Sequence, residues 1–348
     1  MKKENSKIIL TGAIIGVAAV ILVMLGNPKN MGFCIACFIR DITGSLKLHS
    51  VEKLQYARPE IFAIILGSFI VSKIKGEYKT TGGSSPVLRF VLGVFIMIGA
   101  LVFLGCPLRM VLRLGGGDGK AIFALIGFIG GIYVGSKFLG QGFSLGRTYK
   151  IERYGSYSFI AAIIFITILT AFGLIGRPDL EAHAPFIASF AFAIVVGIMA
   201  QRTRFCMVGG YRDIFLFKDF KLFWGSLSLF VVVLIGNIIT GNFTFSITFD
   251  NAIWYFLSMA LVGFAAALAG GCPLRQLILA GEGNTDSIIT ILGMVFGAAI
   301  SHNFAYASSP TTVNPNGKIA VIVGLVVVTI IAVTITKQKK EELKKLGL

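Results

Sequence analysis

The sequence predicts an all-α polytopic membrane protein with about ten transmembrane helices and four short re-entrant half-helices, arranged as two inverted repeats. Of its 348 residues, 55% are hydrophobic and 14% are charged, and the mean hydropathy of +0.85 excludes an ordinary soluble domain. A second observation is a series of apolar stretches near the roughly 20 residues that cross a hydrocarbon core of about 30 Å. A third is a pair of cysteine motifs that recur in the same order.

The apolar stretches predict ten spans. They lie at about 7–26, 57–74, 87–104, 121–138, 157–175, 185–201, 221–240, 251–270, 286–303 and 318–336. The first stretch follows the basic segment "MKKENSK", but it is long for the apolar part of a secretory signal and nine more spans follow. We therefore expect it to be a membrane helix.

The charge distribution predicts the orientation of these spans. Lys and Arg number 32 against 16 Asp and Glu, an excess that would suggest nucleic acid in a soluble protein but here follows alternate loops. With both termini in the cytoplasm, most basic residues fall on the inner side, including the tail "KQKKEELKK". We expect a multi-pass protein of the inner (plasma) membrane with cytoplasmic N- and C-termini and no nucleic-acid partner. Contact of the tail with membrane lipid headgroups is a secondary interpretation.

Two motifs occur once in each half of the chain. "FCIACFIRD" at 33–41 matches "FCMVGGYRD" at 205–213, and "GCPLR" at 105–109 reappears at 271–275. With these motifs as landmarks, residues 1–178 and residues 179–348 each contain five spans and two short cysteine segments. An odd number of spans makes the second repeat enter the membrane from the opposite side, an arrangement typical of transporters.

The short segments predict re-entrant half-helices, the first pair entering from outside and the second from the cytoplasm, because irregular backbone at membrane depth must be buried or line a cavity. Proline after the cysteine of "GCPLR" suits the first helical position, which makes the cysteine the cap. A thiol at the positive end of a helix, with an arginine nearby, suits a soft anion. We expect Cys106 and Cys272 to face each other near the midplane. The substrate-pathway residues are predicted to be Cys34, Cys106, Cys206, Cys272, Arg109 and Arg275, with Arg40, Arg212 and Cys37 as secondary candidates.

Other interpretations of the same residues stay open. The pairs Arg40–Asp41 and Arg212–Asp213 could simply mark the water interface, and cysteines in membrane helices often only pack. Cys34 and Cys37 form a CxxC pair that could be a disulfide, part of a metal site or unreactive thiols; the last is our expectation. We predict no metal site and no cofactor. The histidines are expected to be solvated in outer loops: His49, His183 and His302.

The features described above resemble those of the YeeE/YedE family over essentially the whole chain. They are the cysteine segments, the glycine-rich sequences "GGGDG" and "GEG" that follow the "GCPLR" motifs, and the ten-span duplicated layout. The resemblance implies uptake of sulfur-containing ions, thiosulfate in one branch, through a centre lined by cysteines on short re-entrant helices. It implies transient hydrogen bonding of the ion to Cys34, Cys106 and Cys272, with Cys206 as the fourth symmetric member. It also implies a separate small cytosolic sulfur-carrier partner of the TusA type. The length and the double motif are most similar to the YedE-like branch linked to selenium metabolism.

Three functions therefore compete. The leading one is a transporter or pore for a sulfur- or selenium-containing anion, which is not an enzyme. A membrane thiol oxidoreductase or sulfurtransferase would instead use Cys34 and Cys37. A scaffold whose cysteines merely pack is the third.

Overall fold

The computed structural model describes residues 2–176, 183–247, 249–310 and 312–345, and nearly all regular structure in these residues is helical. The helices of the first half are α1 (Lys2–Met24), α2 (Ile35–Ser45), α3 (Pro59–Ile74), α4 (Pro86–Phe103), α5 (Pro107–Gly115), α6 (Lys120–Gly140) and α7 (Tyr154–Ala171). Those of the second half are α8 (Phe186–Thr203), α9 (Met207–Phe217), α10 (Lys221–Ile239), α11 (Ala252–Leu268), α12 (Pro273–Gly281), α13 (Thr285–Asn303) and α14 (Pro315–Lys345). The predicted boundary between the halves, at residues 178 and 179, lies outside the described residues.

The remaining regular structure is small. Glu52–Leu54 forms a 3-10 turn between α2 and α3. Two strands, β1 (Thr81–Gly82) and β2 (Tyr149–Lys150), pair antiparallel with Thr81 opposite Lys150. They tie the segment after α3 to the segment before α7.

Helix lengths separate two classes. Four helices have 9 or 11 residues, namely α2, α5, α9 and α12, and at 1.5 Å per residue they are too short to cross a bilayer. In the described part of the chain, nine helical segments are long and apolar enough to cross; three of them join a long helix to the short one after it. The tenth predicted span is α3, which has 16 residues. The fold class, an all-α polytopic membrane protein, is confirmed.

Small residues allow the long helices to pack closely, as is common inside membranes. In the pair α4 and α13, a Cβ built on Gly93 would lie 2.3 Å from the Thr290 carbonyl oxygen, and one on Gly293 would lie 2.2 Å from the Phe90 carbonyl oxygen. Only glycine permits this approach of the two backbones.

The helix pairs follow the order of the repeats. The most extensive contacts join α6 with α11, α4 with α13, α3 with α8 and α1 with α10. We match α1–α7 in order with α8–α14. This matching converts the pair α6 and α11 into α13 and α4, and it converts the pair α3 and α8 into α10 and α1. The last helix of each half departs from this pattern, since α7 packs on α3 whereas α14 packs on α4 and α11.

Candidate functional site

Each of the four short helices begins directly after a cysteine. The cysteines have extended backbone and are the N-cap residues of α2, α5, α9 and α12 in turn: Cys34, Cys106, Cys206 and Cys272. Pro107 and Pro273 occupy the first helical positions of α5 and α12, as predicted, because proline has the required φ and no N–H to leave unpaired. Each sulfur therefore lies beside the free N–H groups and the positive dipole end of a helix.

Two of these cysteines cap their helices through sulfur. The Cys37 N–H donates to Cys34 Sγ at 3.4 Å, and the Gly209 N–H donates to Cys206 Sγ at 3.3 Å. A thiol is a weak acceptor, so these contacts orient the sulfur more than they stabilise the helix. The motif "FC" thus marks a cap, a role that we did not predict for it.

Three thiols meet in the first half and form what we call the first thiol cluster: Cys34, Cys37 and Cys106. Cys34 Sγ lies 2.8 Å from Cys37 Sγ and 3.9 Å from Cys106 Sγ. All three are free cysteines and at most 1% exposed. Cys106 is the N-cap residue of α5, so its sulfur lies near the positive dipole end of that helix. The cluster therefore places polarisable thiol groups next to backbone N–H donors.

Arg109 supplies positive charge to the first thiol cluster. Its Nη1 donates to Cys37 Sγ at 3.0 Å, and its buried Nε has no hydrogen-bond partner within the described ranges. No carboxylate of the described residues pairs with it, whereas Arg113, one turn later, pairs with Asp118 at 2.7 Å. A guanidinium held this way favours an anion as its counter-charge.

The second half contains two thiols, Cys206 and Cys272, which we call the second thiol pair. The Cys272 N–H donates to Cys206 Sγ at 3.4 Å. They are 5% and 1% exposed. Gly209 occupies the position that Cys37 has in the first half, so this site has one thiol fewer.

The predicted cationic residues of the second half are paired. Arg275 Nη1 lies 3.3 Å from Glu282 Oε1, and Arg212 Nη2 lies 2.8 Å from Asp213 Oδ1. Thiol contacts join cysteines within each half. Within the described residues, none joins Cys106 to Cys272, which we expected to face each other.

A buried ionic network, most of which we did not predict, lies next to the first thiol cluster. Asp41 is fully buried and accepts from Arg40 Nη2 at 2.6 Å and from Arg58 Nε at 2.7 Å. Arg58 also donates to Asn27 Oδ1 at 3.1 Å. The interpretation of Arg40 and Asp41 as water-interface markers is therefore wrong. Arg58 lies near the start of the predicted span 57–74, directly before Pro59, the first residue of α3.

The histidine prediction is wrong for two of the three residues. His49 is buried, its Nε2 lies 3.2 Å from the Arg40 carbonyl oxygen, and its ring centroid lies 4.6 Å from that of His302. His302 belongs to the last turn of α13. Burial lowers the pKa of His49 below its usual 6.5. His183 stacks on Tyr56 with ring centroids 4.1 Å apart.

The thiols are closed off in this conformation. Cavities of about 490 and 650 Å³ lie elsewhere, one lined by apolar side chains of α4, α13 and α14 and one by polar groups around Lys7 and Arg204. Within the described ranges, no group of three or more His, Cys, Asp or Glu side chains is arranged to hold a metal ion. A ligand would reach the sulfurs only after packed elements separate.

Comparison with known proteins now bears on this site. The family described as sulphur transport matches residues 202–345, which include Cys206, Cys272 and Arg275. A relative, the thiosulfate transporter TsuA of Escherichia coli (strain K12), is 28% identical over 109 residues, which are 30% of this chain and 31% of the relative. The alignment thus spans about a third of the relative's length. Residues 202–345 therefore match the sulphur-transport family, and the two matches together support the resemblance of this chain to the YeeE/YedE family.

Proposed function

We propose that the protein is a membrane transporter or facilitated pore for a small, soft sulfur-containing anion such as thiosulfate. The observation that carries the proposal is a cluster of three buried free thiols at helix N-termini beside Arg109, which has no carboxylate partner among the described residues. Polarisable sulfur donors next to positive potential suit an anion with charge on sulfur.

Passage would proceed by hydrogen bonds alone. The S–H groups donate weakly to the anion's terminal sulfur, while its oxygens accept from backbone N–H groups at the helix starts and from arginine. Weak binding at several sites in sequence permits an ion to leave as well as to enter. No covalent bond forms, and no cofactor is needed.

The same proposal includes two inverted repeats, residues 1–178 and 179–348, with the short helices as re-entrant elements. The exchange of helix pairs between the halves supports it. With the basic residues inside and both termini in the cytoplasm of an inner-membrane protein, the first thiol cluster is reached from outside and the second thiol pair from the cytoplasm.

Cargo and partners follow from the resemblance and the comparisons. Thiosulfate is the first choice because a relative is named a thiosulfate transporter. A selenium species is the alternative, since selenium in its anions is as polarisable as sulfur. A separate cytosolic TusA-type carrier would receive the sulfur, and the basic tail would contact anionic lipid headgroups.

Uptake by reconstituted vesicles tests the proposal. Labelled thiosulfate, sulfate and selenite are compared in wild type, Cys106→Ala and Cys272→Ala, with folding checked by the thermal transition. We expect wild type to accumulate thiosulfate or selenite in preference to sulfate. The uptake rate of each variant should be at least about tenfold lower than that of wild type, equivalent to roughly 1.4 kcal/mol. Full uptake by both folded variants would refute the role of the thiols.

A second candidate, a thiol oxidoreductase or sulfurtransferase, is favoured by one contact, the 2.8 Å between Cys34 Sγ and Cys37 Sγ. It requires Cys37, whereas a hydrogen-bonding pathway does not. Cys37→Ser separates the two functions: we expect thiosulfate uptake to persist. Loss of uptake together with a mixed disulfide or persulfide trapped on Cys34 would favour the enzyme.

A further inference from the structure

The two halves of the molecule differ at one charged position beside the matched arginines. The short helices α5 and α12 end at Gly115 and Gly281, and the next residue is Gly116 in the first half but Glu282 in the second. The residue after that is glycine in both halves, with φ of +91° at Gly117 and +97° at Gly283. The two turns have the same backbone form. Glu282 therefore places a carboxylate at a position where the first half has none.

This carboxylate changes the state of the arginine. Arg275 and Glu282 are only 13% and 21% exposed and pair at 3.3 Å. The matched Arg109 has no carboxylate partner in the described parts of the chain and donates to a thiol instead. One site therefore offers an uncompensated cation and the other offers a neutral ion pair.

Arg275 nevertheless lies close enough to serve the second thiol pair. A Cβ built on Gly271 would lie 2.9 Å from Arg275 Cγ and 3.7 Å from Cys206 Sγ, so the arginine stem and the thiol border the same small space. The turn that carries Glu282 is held by backbone hydrogen bonds from Lys79 N–H to the Glu282 carbonyl and from Thr81 N–H to the Gly283 carbonyl. A change of the Glu282 side chain leaves these bonds in place.

We propose that Glu282 is a positioning residue that withholds Arg275 from the transported anion, so that the second thiol pair is the weaker site, from which the anion is released. The inference rests on the proposed function and specifies how its two sites differ. A carboxylate within a few ångströms competes with an incoming anion for the guanidinium and repels the anion as well. In a passive pore the gradient still sets the net direction; Glu282 sets how readily the anion leaves.

Exchange of the matched residues tests the proposal with thiosulfate as the probe. Glu282→Gln and Glu282→Gly are compared with wild type in everted vesicles, which expose the second thiol pair, and in right-side-out vesicles. We expect KM in everted vesicles to fall about tenfold, equivalent to roughly 1.4 kcal/mol. In right-side-out vesicles the maximal rate falls, because release of the anion from the second thiol pair slows. Asp219→Asn, which removes an exposed carboxylate paired with Lys221 at 3.5 Å, is the control with unchanged kinetics.

The reciprocal variant adds the carboxylate to the first half. Because a Cβ at Gly116 would lie 2.5 Å from Asn30 Oδ1, Gly116→Glu is made together with Asn30→Ala, and Asn30→Ala alone is its control. We expect the double variant to raise KM in right-side-out vesicles.

The outcomes separate this inference from the proposed function. If wild type transports neither thiosulfate nor selenite, the function itself fails. If wild type transports and Cys106→Ala does not, but both Glu282 variants keep the wild-type KM and maximal rate on both sides, the function stands and the role of Glu282 is refuted.

Discussion

Asp41 is the residue on which the charges beside the first thiol cluster converge. It is fully buried, and its two oxygens accept from Arg40 and Arg58. Burying charges is tolerable only when they are paired and hydrogen-bonded, and removal of one partner leaves the others with their desolvation cost. Asp41 therefore connects α2 to Arg58, the N-cap residue of α3.

The repeat supplies a matched test of this role. Asp41→Asn should lower the free energy of unfolding by roughly 3–5 kcal/mol, because two buried guanidinium groups lose the carboxylate they share. The counterpart Asp213→Asn should cost no more than about 1 kcal/mol, since Arg212 and Asp213 are 28% and 21% exposed. Thermal unfolding in detergent compares the two. Equal shifts would contradict the assignment of Asp41 as the centre of a buried network.

The cysteines show how far single residues could be predicted from sequence. Proline and the repeat located the caps of α5 and α12, because these depend on local backbone chemistry. The partner of Arg109 could not be predicted, since Cys37 is 72 residues away and no spacing rule joins them. Arg58 was missed for the same reason: its contacts reach residues 17 and 31 positions away.

At the scale of elements, the closely packed pair α4 and α13 supports helices of both thiol sites. α13 contacts α2, which contains Cys37 and begins directly after Cys34, and also α12, which begins directly after Cys272. The separation of α4 and α13 is set by Gly93 and Gly293, whose hydrogen atoms face opposing backbone carbonyls. A side chain there must push the helices apart.

We therefore expect Gly293→Ala to destabilise the protein by roughly 1–3 kcal/mol, the usual cost of overpacking. Gly130→Ala is the matched control: it lies within α6, and nothing lies within 4 Å of its added Cβ, so helix propensity should leave stability equal or higher. Thermal unfolding measures both. A Gly293 variant as stable as the Gly130 variant would show that the pair can separate freely.

At the scale of the whole molecule, the sequence predicted the class, the number of long helices and the four short ones, because hydropathy and span length depend on the bilayer and not on tertiary contacts. The different packing of α7 and α14 could not be predicted, because hydropathy shows that both can span a membrane but does not specify which helices they pack on. The closed state of the thiols was likewise invisible in the sequence. The proposed transport therefore needs a rearrangement that opens the thiol sites, which fits the proposed inverted repeats.

Sided alkylation tests whether the thiols line the path of a soft anion. A charged, membrane-impermeant thiol reagent is applied to either side of vesicles, and the labelled cysteines are identified by peptide mass. We predict labelling of Cys34 and Cys106 from outside and of Cys206 and Cys272 from inside, slowed by thiosulfate but not by sulfate. Uniform inertness of all four cysteines in vesicles that transport thiosulfate, or labelling that thiosulfate leaves unchanged, would contradict the account.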